Sequence, residues 1–205
     1  MFGFCQKKDP TFLVSSAFIE YGMTDIWDEL RNRPEKGAER LISEYSDRLY
    51  KTAYRLCSNS ATAEDLVCRT FIQALSHQGC FESEKKYFAW LCTILVNFYR
   101  QDLRRSSSSA LVYGEDLSEV ESASPTPSEE VVGLDEAALV KKAVGLLSPP
   151  LREVVALYYF DGLGLQELAN ILGLPLGTVK FRLHAARKKL CEHVTRLFGE
   201  KRDSL

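Results

Sequence analysis

Between Gly162 and Leu190 the chain reads GLGLQELANILGLPLGTVKFRLHAARKKL, and no other stretch restricts the fold as tightly. It predicts two short helices joined by a tight turn. In the second, Val179, Leu183, Ala186 and Leu190 recur at helical spacing and form one apolar stripe that needs a core beneath it. Phe181, His184, Ala185 and Lys188 fall opposite, flanked by Lys180, Arg182, Arg187 and Lys189. From Gly177 to Leu190 there are five Lys/Arg and no Asp/Glu. The first helix, Gln166 to Leu172, offers Leu168, Ala169 and Leu172 for burial, and small Ala169 lets the second helix cross closely. Gly173 suits the left-handed residue that ends a helix. Pro175 and Thr178 are start residues for the next. Such a pair is a helix-turn-helix whose second member fits the major groove of DNA. The plainer alternative is a surface helix pair with a solvated basic face.

The net charge of −2 argues against a nucleic-acid binder until it is divided along the chain. Residues 106–138 carry eight Asp/Glu and no Lys/Arg, so the remainder is net +6. That stretch opens SSSS, includes SASPTPSEE and is poor in aromatics. It cannot bury enough apolar surface to offset its ordering entropy, and reads as an extended, self-repelling linker.

The apolar run Thr11 to Ile19 is far shorter than the roughly 20 residues a membrane span requires. Its flanking charges also suit a signal peptide poorly, so no membrane insertion and a cytoplasmic location are expected. The six cysteines (Cys5, Cys57, Cys68, Cys80, Cys92, Cys191) contain no CxxC pair and read as small buried hydrophobes in a reducing compartment. His77-x-x-Cys80 and Cys191-x-His193 have metal-like spacing without a second half, so no metal and no cofactor are expected.

Before the linker, three helices build a small bundle. Residues 1–35 form an extension with one amphipathic helix, Thr24 to Arg33, that Pro34 stops; it receives no role. Leu41, Ile42, Tyr45, Leu49, Ala53 and Leu56 then mark a helix ending near Ser58–Asn59. The next opens at Thr62, with Asp65 completing a capping box, and runs to Ser76. Its inner face is Ala63, Leu66, Val67, Thr70, Phe71 and Ala74, and its outer face Glu64, Asp65, Arg69 and Gln73. The third spans Glu84 to Arg105 around Leu91, Ile94, Leu95 and Phe98. After the linker a second domain starts near Leu139. Leu146-Leu147-Ser148-Pro149-Pro150 breaks one helix from another, and Leu151, Val154, Val155, Leu157, Tyr158 and Phe160 pack the latter.

Trp90, Asn97, Arg100 and Arg104 lie at i, i+7, i+10 and i+14 on the third helix, with Arg105, Lys85 and Lys86 nearby. Aromatic planes accept unstacked bases at roughly 1–3 kcal/mol each, and cations hold the phosphates between them. The same residues equally suit a structural reading, with Trp90 closing the core edge and the cations complementing the helix dipole.

Both halves resemble the extracytoplasmic-function (ECF) sigma factors, specificity subunits of bacterial RNA polymerase, over residues 38–105 and 139–192. Ala63-Glu64-Asp65-Leu66-Val67 is similar to the family's AEDLV core. Trp90-Leu91, Ile94, Asn97 and Arg104-Arg105 resemble its WLxxI..N......RR pattern. In the second half the resemblance rests on Leu146-Leu147-Ser148-Pro149, Arg152-Glu153-Val154, Gly162, Glu167-Leu168-Ala169, Gly177-Thr178-Val179-Lys180, Arg182-Leu183 and Arg187. Cys68 and Arg69 stand where the family usually has Gln and Glu, and Gln101 stands for an acid. Phe181 replaces a small Ser, and Ala185 an often basic residue.

The resemblance implies an all-α fold of two small helical domains joined by a flexible acidic linker. Residues 36–105 would recognise and melt the −10 element through Trp90, Asn97, Arg100, Arg104 and Arg105, helped by the loop near Phe81–Tyr87. The same domain would dock on core polymerase through Glu64, Asp65, Arg69 and Gln73. Residues 139–198 would read duplex −35 DNA through Thr178, Lys180, Phe181, Arg182, His184, Arg187 and Lys188, and 199–205 form a tail. The linker would thread the polymerase active-site channel. Implied partners are bacterial core RNA polymerase and promoter DNA, duplex at −35 and single-stranded at −10, with an anti-sigma factor as a regulator. No Ser/His/Asp grouping, phosphate loop or paired-carboxylate pocket is legible, so no catalytic residue is assigned. Two rivals stay open: a regulator that binds duplex DNA without polymerase, and a cysteine-based redox sensor.

Overall fold

The computed structural model describes residues 26–76, 87–112 and 136–202. Among them the chain is helical and has no strand. The first half comprises α1 (Ile26–Asn32), α2 (Pro34–Cys57), α3 (Ser60–Ser76) and α4 (Tyr87–Val112). The second comprises α5 (Glu136–Gly145), α6 (Pro149–Val155), a π-helical turn (Ala156–Phe160), α7 (Leu165–Leu172) and α8 (Leu176–Arg202). Phe81, Lys85, Lys86, His77, Cys80, Cys5 and residues 113–135 of the expected linker lie outside the described residues.

Several boundaries differ from expectation for local reasons. Pro34 opens α2 rather than simply stopping α1, because its missing N–H costs nothing in a first turn. The N-terminus of α3 is capped by Asn59, whose Oδ1 accepts the Thr62 N–H at 2.9 Å, so α3 starts at Ser60 and the Thr62–Asp65 capping box does not form. Helix α4 continues through Val112, so residues 106–112 are helical and not part of an extended linker. Helix α8 likewise passes Phe198 to Arg202. Its C-terminal half has its own partner, since Leu139 and Ala143 of α5 bury Leu197 beside Leu190 and Val194.

Helix α1 crosses α2 at Gly37. A Cβ there would meet the Leu30 backbone nitrogen at 2.4 Å and its Cα at 2.6 Å, so only glycine admits the crossing. Ile26 and Leu30 drop into the first bundle through that gap, and Arg40 holds Glu29 at 3.1 Å.

The two halves share one buried apolar cluster, which runs from Ile26 to Ala186. This packing changes the inner face of α4. Leu91 and Leu95 are buried as expected and Ile94 and Phe98 half-buried, but Tyr87, Phe88, Cys92, Val96 and Tyr99 are buried as well. The second half covers the side of α4 that a lone three-helix bundle would expose. Ile42 and Phe160, expected inside, are instead 41% and 43% exposed. The π turn carries one extra residue per turn. It keeps Ala156 and Leu157 inside and leaves Tyr159 and Phe160 outside.

Buried polar side chains pin the halves together. Arg152 is 5% exposed and spends its guanidinium on helix ends. It donates to the Leu56 carbonyl at the end of α2 (2.8 Å), to the Gly145 carbonyl that ends α5 (2.5 Å) and to the Leu147 carbonyl two residues beyond (2.9 Å). Carbonyls in a last helical turn lack intrahelical partners, and a cation also suits the negative end of the dipole. On the other edge the Thr52 hydroxyl lies 2.9 Å from each carboxylate oxygen of Asp161, and Arg48 donates to the Asp161 carbonyl at 2.6 Å. Burial pushes the Asp161 carboxyl up to about 6.

Candidate nucleic-acid interface

The turn after the π segment positions the recognition helix. Gly162 and Gly173 both sit at positive φ (69° and 63°), so the chain reverses on either side of α7 without strain. The Gly164 N–H is accepted by Glu167 at 2.8 Å, which satisfies a donor at the start of α7. Leu168, Ala169 and Leu172 are buried as expected, along with Ile171. Val179, Leu183 and Ala186 seat α8 against them, and Leu190 is half-buried.

The opposite side of α8 is open. Lys180, Phe181, His184, Arg187 and Lys188 are exposed, while Thr178, Arg182 and Ala185 are half-buried. Phe181 is 71% exposed. Arg187 is held in place, its Nε donating to the Tyr159 hydroxyl at 2.5 Å. Tyr158, Leu165, Lys180, Leu183, His184 and Arg187 line a shallow groove along the helix. Tyr159 is a residue that sequence reading missed; the π turn that brings it to Arg187 leaves no local signature in the sequence.

The α4 stripe is divided. Asn97 and Arg104 are exposed, as is Arg105, which lies 3.9 Å from Asp102. Trp90 is half-buried against the core. Arg100 is drawn into the junction between the halves. Its Nε and Nη2 donate to the two carboxylate oxygens of Glu153 at 2.9 and 2.6 Å, and Nη1 donates to the Leu172 carbonyl at 3.0 Å. The Glu153 side chain is 3% exposed.

On α3, Glu64, Asp65 and Gln73 are exposed as expected, joined by Cys68 and by Ile72 at 62%. Arg69 is instead half-buried, paired with Asp102 of α4 and with Asp65 at 3.0 Å, its guanidinium 4.9 Å from the Phe98 ring. This ties α3 to α4 in place of projecting outward.

No group of three or more His, Cys, Asp or Glu among the described residues could hold a metal. The four described cysteines are free thiols. Burial pushes the Cys57 thiol up and the Cys92 thiol well up, which disfavours the reactive thiolate at both. No described helix is long and apolar enough to cross a membrane.

Residues 41–109 match the sigma-70 region 2 family model, and residues 137–190 match sigma-70 region 4. The ECF RNA polymerase sigma factor SigW of Bacillus subtilis is 30% identical over 158 residues, covering 73% of this chain and 84% of that protein. The chain belongs to the ECF sigma factors. SigE of Mycolicibacterium smegmatis, another ECF sigma factor, is 30% identical over 207 residues, covering 91% of this chain and 78% of SigE. Among solved structures, the sigma factor RpoE of Bartonella quintana, in complex with the anti-sigma factor NepR, matches with TM-score 0.64 and 29% identity. The match covers 77% of this chain and 96% of RpoE. CnrH, in complex with the cytosolic domain of CnrY, shares the fold at TM-score 0.59 and 21% identity. As an ECF sigma factor, the chain is a promoter-recognising initiation factor, partnered with core RNA polymerase and promoter DNA.

Proposed function

We propose a division of labour between the exposed faces. Residues 139–198 place the chain on duplex −35 DNA: Lys180, Arg182, Arg187 and Lys188 hold phosphates, and Phe181, His184 and Ala185 face base edges. Residues 36–105 take the non-template −10 bases as they leave the stack. Extruding a base costs a few kcal/mol, and contacts from Trp90, Asn97, Arg104 and Arg105 offset it. Glu64, Asp65 and Gln73 on α3 meet the polymerase, with Arg69 holding that surface in place from behind. The acidic linker runs through the polymerase active-site channel. The observation that carries this reading is the acid-free face of α8, where Phe181, His184, Lys180, Arg187 and Lys188 stand in solvent. Arg100 joins the −10 contacts once Glu153 and the Leu172 carbonyl release it. Such a factor works in the cytoplasm, under control of an anti-sigma factor that takes the place of polymerase and DNA.

The test is Asn97→Ala in holoenzyme at a promoter that the wild type opens. Closed-complex binding is retained and permanganate-reactive opening falls. Undiminished opening removes Asn97 from the melting contacts.

A further inference from the structure

Phe181 is the most exposed large hydrophobic among the described residues, at 71%. Single exposed apolar side chains need no explanation in general, but this one occupies a particular place. It lies in the second turn of α8, with Lys180 beside it and His184 and Lys188 continuing the same ridge, all exposed. No carboxylate occurs on α8 between Gly177 and Leu190. The surface around the ring therefore suits a polyanion and repels a basic protein face. Ala185, one turn on, projects only a methyl group and leaves the flank of the ring open.

A phenyl ring has no donor or acceptor with which to read the edges of guanine, adenine or cytosine. The apolar feature that the major groove presents is the C5-methyl of thymine. Wedging between base steps, the other use of an apolar side chain on DNA, belongs to proteins that enter from the minor groove. We infer that Phe181 makes −35 selection by this sigma factor depend on a thymine methyl, which the ring covers in the major groove. The inference rests on the reading of α8 as the −35 helix and adds the chemical group that the helix selects. Covering one methyl corresponds to roughly a fourfold gain in affinity.

The experiment uses holoenzyme assembled from the full chain and core polymerase. A −35 element is first selected from a randomised promoter library. Each thymine in it, on either strand, is then replaced singly by 2′-deoxyuridine, which removes the methyl and leaves the pairing edge intact. One replacement weakens wild-type holoenzyme binding about fourfold. With Phe181→Ser, a substitution at an exposed position, the same replacement has no effect. If an element is selected but no uracil replacement matters, or the loss persists in Phe181→Ser, the methyl contact is wrong while the −35 role of α8 stands. If no −35 element is enriched, both fail. If Phe181→Ser lowers capture of core polymerase in the absence of DNA, the ring serves a protein contact and the inference is overturned.

Discussion

Arg100 of α4 grips Glu153 of α6 through two parallel hydrogen bonds, 2.9 and 2.6 Å long, and so fastens the region 2 half of the chain to the region 4 half. The carboxylate is buried, and the pair raises the Arg100 pKa through its hydrogen bonds to Glu153. A cation counted among the candidate −10 contacts is thus held by the chain itself. In this packing the two halves share one buried apolar cluster.

Breaking that pair leaves a buried charge uncompensated, which costs on the order of 3–5 kcal/mol. Glu153→Gln should therefore lower stability by about 3 kcal/mol, read from the urea midpoint. Arg100→Gln should cost a similar amount, and the double variant much less than the sum of the two. Strict additivity in that cycle would show that the pair does not couple the halves.

Asp161 makes the junction pH-dependent. Its folded pKa of about 6 lies above the unfolded value near 3.9, so between those values the folded chain holds the proton more tightly. The stability this group contributes is fully present below about pH 4 and is lost as pH rises through 6. Asp161→Asn keeps an acceptor for Thr52 and removes the buried charge. It should stabilise the chain by about 2 kcal/mol at pH 7.5, and by clearly less at pH 5. An advantage equal at both pH values would contradict the assignment.

Phosphate and base contacts on α8 should separate in mutant behaviour. Lys180→Ala should weaken holoenzyme binding at every promoter and lower the salt slope by about one. His184→Ala should change which −35 sequence is preferred. Equal loss at every −35 variant would remove His184 from base reading.

The helix-turn-helix was legible because its information is local. The Val179–Leu183–Ala186 stripe, the Gly173 cap and the acid-free face are each set by neighbours in sequence. The junction was not legible, because its reasons are non-local. Arg152 reads as a surface cation until the ends of α2 and α5 converge on it. Glu153 and Arg100 give no sign of each other across 53 positions. The broad inner face of α4 has the same cause: α4 packs against α7, beyond the linker, as well as against α2 and α3, and Tyr99 lies beside Arg152 and Glu153. Tyr159 reaches Arg187 only because the π turn shifts the helix face.

Run-off transcription with purified core polymerase, the full chain and a randomised promoter library tests the central claim most directly. The account predicts capture of core by the chain, weaker capture by Asp65→Lys, and synthesis from templates that carry both a −35 and a −10 element. Promoter binding should be strong mainly in the presence of core. A chain that neither associates with core nor starts synthesis on any template, or that binds its preferred duplex as tightly without polymerase, would contradict it.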